Sequence, residues 1–132
     1  MKKTTQSKAK TQTLTLKQAG TRSATIRKLY HQLEEKNHGS RWSTQEDMVG
    51  FLFDVGELGR LLMAAEGRWV VKGEARPQLE AKLAECLWWL FVLSDRLGVD
   101  LNQAFLAKMK ELETSLSLSV AKTKKLTRKK TK

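Results

Sequence analysis

Two stretches of this chain are apolar on nearly every side if they are helical, and a chain of 132 residues has little interior in which to hide them. The first runs from about Ser43 to Gly67. Met48, Phe51, Leu52, Val55, Leu58 and Leu62 recur at helical spacing on one face, and Phe53 and Leu61 widen the apolar surface beyond it. The second opens near Pro77. Leu79, Leu83, Cys86, Leu87, Leu90, Ser94 and Leu97 share a stripe, while Trp88, Trp89, Val92 and Leu93 cover the other sides. Helices of this kind are buried from several directions, so the economical expectation is an all-α bundle completed by association with another copy, a homodimer or a higher homo-oligomer. Gly56 and Gly59 lie inside the first stretch, where each costs about 1 kcal/mol relative to alanine, and close backbone packing would offset that cost.

The rest of the chain supplies two further helices and no run of strand signals or internal repeat. Ser23 is a candidate cap for a first helix carrying Ile26, Leu29, Tyr30 and Leu33, which Asn37-His38-Gly39 ends. Ser43-Thr44-Gln45-Glu46 reads as a capping box. Pro77 suits the first turn of the third helix, and Gly98 suits its left-handed cap. Asp100 opens a fourth helix anchored by Leu101, Phe105, Leu106 and Met109, with the pattern fading after about Glu113. The expected organisation is a basic disordered tail over 1–22, a helical domain over 23–113, and a basic disordered tail over 114–132.

The formal charge of +11 belongs to the ends. Residues 1–20 carry five lysines and residues 121–132 carry six lysines and one arginine, with no acid in either, whereas residues 21–120 hold 13 basic and 14 acidic residues. Weak, sequence-independent nucleic-acid binding would therefore rest on the tails, which lack interleaved aromatics. The longest unbroken apolar run, Cys86 to Leu93, is eight residues against the roughly 20 that a membrane span needs, so a soluble protein with no membrane partner is expected. A single cysteine excludes an intrachain disulfide and a thiolate metal site, and it suits a reducing, cytoplasmic setting.

Charged side chains inside the apolar stretches are the candidate chemistry. Asp54 and Glu57 are three apart, hence on one helix face, with Asp47 two turns earlier, and Glu85 lies in the second stretch. Carboxylates in an apolar setting need a cation, a metal or a proton, and hard oxygen ligands suit Mg²⁺ or Mn²⁺ rather than zinc. Pairing of Asp54 and Glu57 with Arg60, Lys82 or Arg96, or exposure to solvent, satisfies them equally well.

DVGELGRLL followed by LAECLWWLFVLSDRLGVDLNQAFLAKM resembles the MazG-like family of all-α nucleoside-triphosphate pyrophosphohydrolases, over roughly residues 26–112. That family has an E-x-x-E pair on one helix, an E-x-x-D pair on the next, and a G-V-D-L…A-F…K-M stretch after a helix break. The resemblance implies a four-helix MazG-like bundle that splits a nucleoside triphosphate into a monophosphate and pyrophosphate. Asp54, Glu57 and Glu85 would be its catalytic and Mg²⁺-binding residues. Lys108, Lys82 and Trp89 would be its substrate contacts, the lysines neutralising phosphate charge and the indole stacking on a base. The second pair is altered, because Lys82 stands where the family has a metal-binding Glu. Glu80 is about 160° away from that place on an ideal helix and is a poor substitute for it without rearrangement. Lys82 could instead bridge Asp54 and Glu57, leaving a catalytically impaired scaffold that serves as a nucleotide-binding or protein-interaction module.

The remaining features admit plain structural roles. Trp88 and Trp89 suit core or interface packing as well as a pocket wall. Trp42 and Trp69 flank the second helix, where either could cover a pocket mouth. His31 and His38 are too few and too isolated for a metal set, and surface positions are expected for both.

Overall fold

A computed structural model describes residues 12–130, with side-chain surroundings through 125. Four helices follow in order among these residues: α1 over Leu16–His38, α2 over Thr44–Ala65, α3 over Ala75–Arg96 and α4 over Leu101–Lys130. No strand occurs among them.

The helix ends obey local chemistry. Ser43 accepts from the Glu46 amide at 3.2 Å, and the Glu46 carboxylate accepts from the Ser43 amide at 2.6 Å, the reciprocal cap its sequence specifies. Gly39 ends α1 with φ +71°, and Gly98 follows α3 with φ +66°, both in the left-handed region that side chains with a Cβ avoid. Asp100 accepts from the Gln103 amide at 3.0 Å at the start of α4.

Two boundaries differ from the sequence expectation. α1 begins at Leu16, and its cap is Thr15, which exchanges hydrogen bonds with Gln18 in a second capping box. Ser23 is therefore buried in mid-helix. Threonine three residues before glutamine carried the start signal within a segment expected to be a tail. At the other end, α4 runs past Glu113 to Lys130. The apolar residues Leu116, Leu118 and Val120, with Ala121, are compatible with helix, and threonine and serine hydroxyls in this part bond back to carbonyls four residues earlier. Residues 1–11 and 131–132 of the expected tails lie outside the described residues.

α3 is the central helix. Its contacts with α2 pair Arg96 with Asp47 and Trp89 and Lys82 with Asp54, so residue numbers fall on one helix as they rise on the other and the pair is antiparallel. Its contacts with α1, Gly20 to Phe91 and Ser23 to Trp88, run the same way. α1 and α2 thus lie on either side of α3. Leu79, Cys86, Trp89, Phe91 and Val92 of α3 and Leu61 of α2 form the buried core. The close approach occurs at Gly50, where a Cβ would come within 2.8 Å of the Trp89 indole; beside Gly56 and Gly59 the chain's own atoms leave open space.

The face of α2 turned inward carries Asp47, Asp54 and Leu61, while Met48, Leu52, Val55 and Leu62 of the expected core stripe are exposed. On α3, Leu83, Leu87, Leu90 and Leu97 are exposed as well. Both exposed sets are spaced four, three and seven apart, and with Gly59 and Ser94 in the gaps of seven they alternate by four and three, the pattern of a helix-pairing seam. The chain exposes 11694 Å², whereas a compact monomer of 15.0 kDa exposes about 7,000 Å². Part of that surplus lies on α4, where residues 110–125 are exposed; the rest includes the apolar seams of α2 and α3.

Candidate functional site

Asp47 has no exposed surface, although it lies only a few residues into α2. Two arginines reach it from the flanking helices. Arg27 of α1 donates to one carboxylate oxygen at 2.6 Å, and Arg96 of α3 donates to the other at 2.6 Å. Arg27 also donates to Glu34 at 2.6 Å, Glu34 accepts from the Trp42 amide at 2.9 Å, and Arg96 donates to the Trp42 carbonyl at 2.8 Å. The four side chains carry no net charge together, and they clamp α1, α2, α3 and the Trp42 connection to one another. Glu34 is held below the usual carboxylate range: burial pushes it up, but the Arg27 hydrogen bond and charge and the Trp42 amide outweigh that push. Such a network is costly to break, because removal of one partner strands a buried charge.

Beside this clamp, a cavity of about 670 Å³ is lined chiefly by α1 and α3, with Trp42 and with Asp54 of α2 in its wall. Tyr30, Trp42, Trp88 and Trp89 give it an aromatic lining, and Tyr30 and Trp88 meet at tilted rings 5.5 Å apart. Trp88 donates to the Ser23 carbonyl at 3.3 Å, which fixes its ring against α1.

One wall carries the acidic group. Lys82 Nζ donates to Asp54 Oδ1 at 2.8 Å and pairs with Glu85 one turn along α3. The other oxygen of Asp54 accepts from the Trp89 indole at 2.6 Å. Side-chain exposures of 20% for Lys82 and 17% for Asp54 place this pair largely out of water, while Glu85 is 53% exposed. Burial would raise the Asp54 pKa, yet the Lys82 and Trp89 hydrogen bonds and the Lys82 charge hold it below the ordinary range. Burial alone would lower the Lys82 pKa; the hydrogen bonds and charges of Asp54 and Glu85 reverse this and push it up to about 12.

Asp54, Lys82, Glu85 and Trp89 therefore converge at the cavity. Glu57 does not line it and pairs instead with Arg60 at 3.0 Å. Lys108 pairs with Glu111 at 2.7 Å on exposed α4, away from the cavity lining. Lys82 bridges Asp54 to Glu85 rather than to Glu57. A divalent cation shared by Asp54, Glu57 and Glu85 does not fit this arrangement, because the ammonium stands between two of the three carboxylates and both oxygens of Asp54 already have donors. Among the described residues, no three His, Cys, Asp or Glu side chains are grouped so as to hold a metal ion.

Other residues differ from their sequence expectations. His31 packs inward, and its Nε2 is buried without a hydrogen-bond partner; burial, with Arg27 next, lowers its pKa. His38 lies at the cavity rim, and Trp42 lines the cavity. Trp69 lies under the Arg60 guanidinium, 5.6 Å from the ring centroid, and does not line the cavity. Sequence reasoning missed Arg27 and Arg96 as the partners of Asp47. Arg27 lies four residues after Ser23 on the one buried face of α1, a face that carries no apolar signal in the sequence.

No protein-family model, no curated protein and no solved structure matches this chain.

Lys82→Met tests the charge arrangement. The depressed Asp54 pKa contributes stability above its unfolded value, about pH 4, and that contribution is lost as pH falls through the folded value; the raised Lys82 pKa contributes below about pH 10 and is lost as pH rises through about 12. Urea denaturation is expected to show the variant less stable than wild type by about 1–3 kcal/mol between pH 5 and 10, with the gap narrowing as pH falls below about 4. A gap as large below pH 4 as at pH 7 would show that Asp54 and Lys82 are not coupled.

Proposed function

We propose that this chain is a MazG-like helical bundle that binds a ligand in the cleft lined by α1 and α3 and has replaced metal-dependent hydrolysis with binding. The observation that carries this is the Lys82 ammonium between Asp54 and Glu85, 2.8 Å from the former. In that place it supplies the positive charge the carboxylates require. A protonated amine cannot ligate a metal, and with a pKa of about 12 it stays protonated at neutral pH.

Support for the binding role comes from the cavity itself. Its volume lies within the range of small-molecule sites, and its aromatic lining with a few fixed polar groups matches their usual chemistry. The clamp around Asp47 prearranges the walls by holding α1, α2 and α3 at one end, so little ordering is left for the ligand to impose.

The pyrophosphohydrolase reading retains one observation in its favour: Asp54 and Glu85 do converge on the cavity. It requires Lys82 to withdraw from both, and it leaves Glu57 and Lys108 outside the lining.

The bundle works as a homodimer, with the seams of α2 and α3 packed against those of a second copy. Met48, Leu52, Val55 and Leu62 on one helix and Leu83, Leu87, Leu90 and Leu97 on the other are exposed in the single chain, and Gly59 falls in the α2 seam with open space beside it. Obligate dimers commonly bury 2,000–5,000 Å² in all, about what such seams on two copies can supply.

Two measurements check this proposal. Pyrophosphate release from the common nucleoside triphosphates with Mg²⁺ is expected to be absent in wild type, and Mg²⁺ titration by calorimetry is expected to give no heat of binding at millimolar metal. Lys82→Glu is expected to gain Mg²⁺ affinity by at least tenfold. EDTA-sensitive release by the wild-type protein would overturn the binding role. Sedimentation equilibrium at micromolar concentration is expected to give twice the chain mass, and Leu52→Lys with Leu87→Lys to give the monomer; a wild-type monomer would contradict the dimer.

A further inference from the structure

The charge balance of the cleft selects what can enter it. Glu34, Asp54 and Glu85 contribute three negative charges to its walls, and Arg27 and Lys82 contribute two positive ones. Neither cation is free. Arg27 is committed to Glu34 and to the fully buried Asp47, which Arg96 also holds, and Lys82 is committed to Asp54 and Glu85. The lining is therefore net negative by one charge, with no cation left over for an anionic ligand. A triphosphate carries about four negative charges at pH 8 and, without a metal to screen it, would face Asp54 and Glu85 at the acidic wall.

The apolar part of the cleft has the opposite preference. Tyr30, Trp42 and Trp88 line it, and aromatic rings of this kind stack on planar heteroaromatic rings whatever their substitution. Glu85, half exposed beside them, has acceptor capacity beyond its contact with Lys82, and Asn37 offers both a donor and an acceptor at the rim. A ring with exocyclic amino groups or ring N–H donors matches both features.

We infer that the ligand of this cleft is an unphosphorylated purine or pyrimidine nucleoside or its free base, bound between the aromatic walls without metal and discriminated from the corresponding triphosphate by the uncompensated carboxylate charge. This rests on the cleft being a metal-free binding site, and it reverses the charge preference that a phosphate-cleaving site would have.

The test uses the full chain at pH 8. Intrinsic tryptophan fluorescence and calorimetry follow titration with adenosine, guanosine, cytidine, uridine and thymidine, with their free bases, and with the matching triphosphates, each with Mg²⁺ and with EDTA. At least one nucleoside or base is expected to quench the fluorescence and to bind ten times or more tightly than its triphosphate, with less than a twofold effect of Mg²⁺. Tyr30→Ala, at a half-exposed position that leaves the core intact, is expected to weaken that ligand at least fivefold. Glu85→Gln, which removes the surplus negative charge, is expected to narrow the gap between nucleoside and triphosphate by threefold or more. Absence of binding by every nucleoside and base at millimolar concentration overturns the inference, as does a triphosphate that binds more tightly than its nucleoside. Those failures are separable from failure of the binding role, which is read from pyrophosphate release.

Discussion

A carboxylate with no exposure to water, Asp47, organises this bundle. Its two oxygens accept from arginines on two different helices, so α1 and α3 are both referred to one point near the start of α2. Apolar packing is non-directional and would allow the helices to slide. Ion pairs made of fixed hydrogen bonds set register, at the expense of stability that well-packed hydrophobic residues could have supplied. The cleft exists because that register is fixed: the same Arg27 that holds Asp47 is part of its wall, and Glu34 ties the wall to the backbone of Trp42.

The second charged group solves a different problem. Asp54 sits in the cleft where a metal, a proton or a cation could neutralise it, and Lys82 takes that position with Trp89 completing the hydrogen bonding. A lysine is a compact point charge on a flexible stem, so it can serve two carboxylates, one across the helix pair and one a turn along its own helix. Asp54, Lys82 and Glu85 together carry one net negative charge, with the ammonium between the two carboxylates.

Much of this was legible in the sequence, and the gaps have physical causes. Local signals read true: the Ser43 to Glu46 box, the Gly39 and Gly98 caps and the Asp100 cap are each decided by residues within a turn of one another. Pairing of Arg60 with Glu57 and of Lys82 with Asp54 was among the alternatives that spacing and sign allowed, whereas Arg96 pairs with Asp47. Facing was harder. An α2 stripe of Met48, Leu52, Val55 and Leu62 looks like a core stripe, because a sequence records which residues avoid water and does not say whether the same chain or another copy covers them. The carboxylate face turned inward instead, which only the positions of Arg27 and Arg96 on the neighbouring helices could decide. Likewise the close approach fell at Gly50, where Trp89 needs the space, while Gly56 and Gly59 face outward. The Thr15 cap was hidden by the composition around it.

The central claim is that an ammonium group occupies the place between Asp54 and Glu85 that a divalent cation would need. Crystals of the wild-type protein soaked in Mn²⁺ and measured at a wavelength with strong manganese anomalous scattering test it directly. The account predicts continuous density from the Lys82 side chain to Asp54 and no anomalous peak within coordination distance of Asp54 or Glu85. A manganese peak bound by those two carboxylates, with Lys82 displaced, would contradict it.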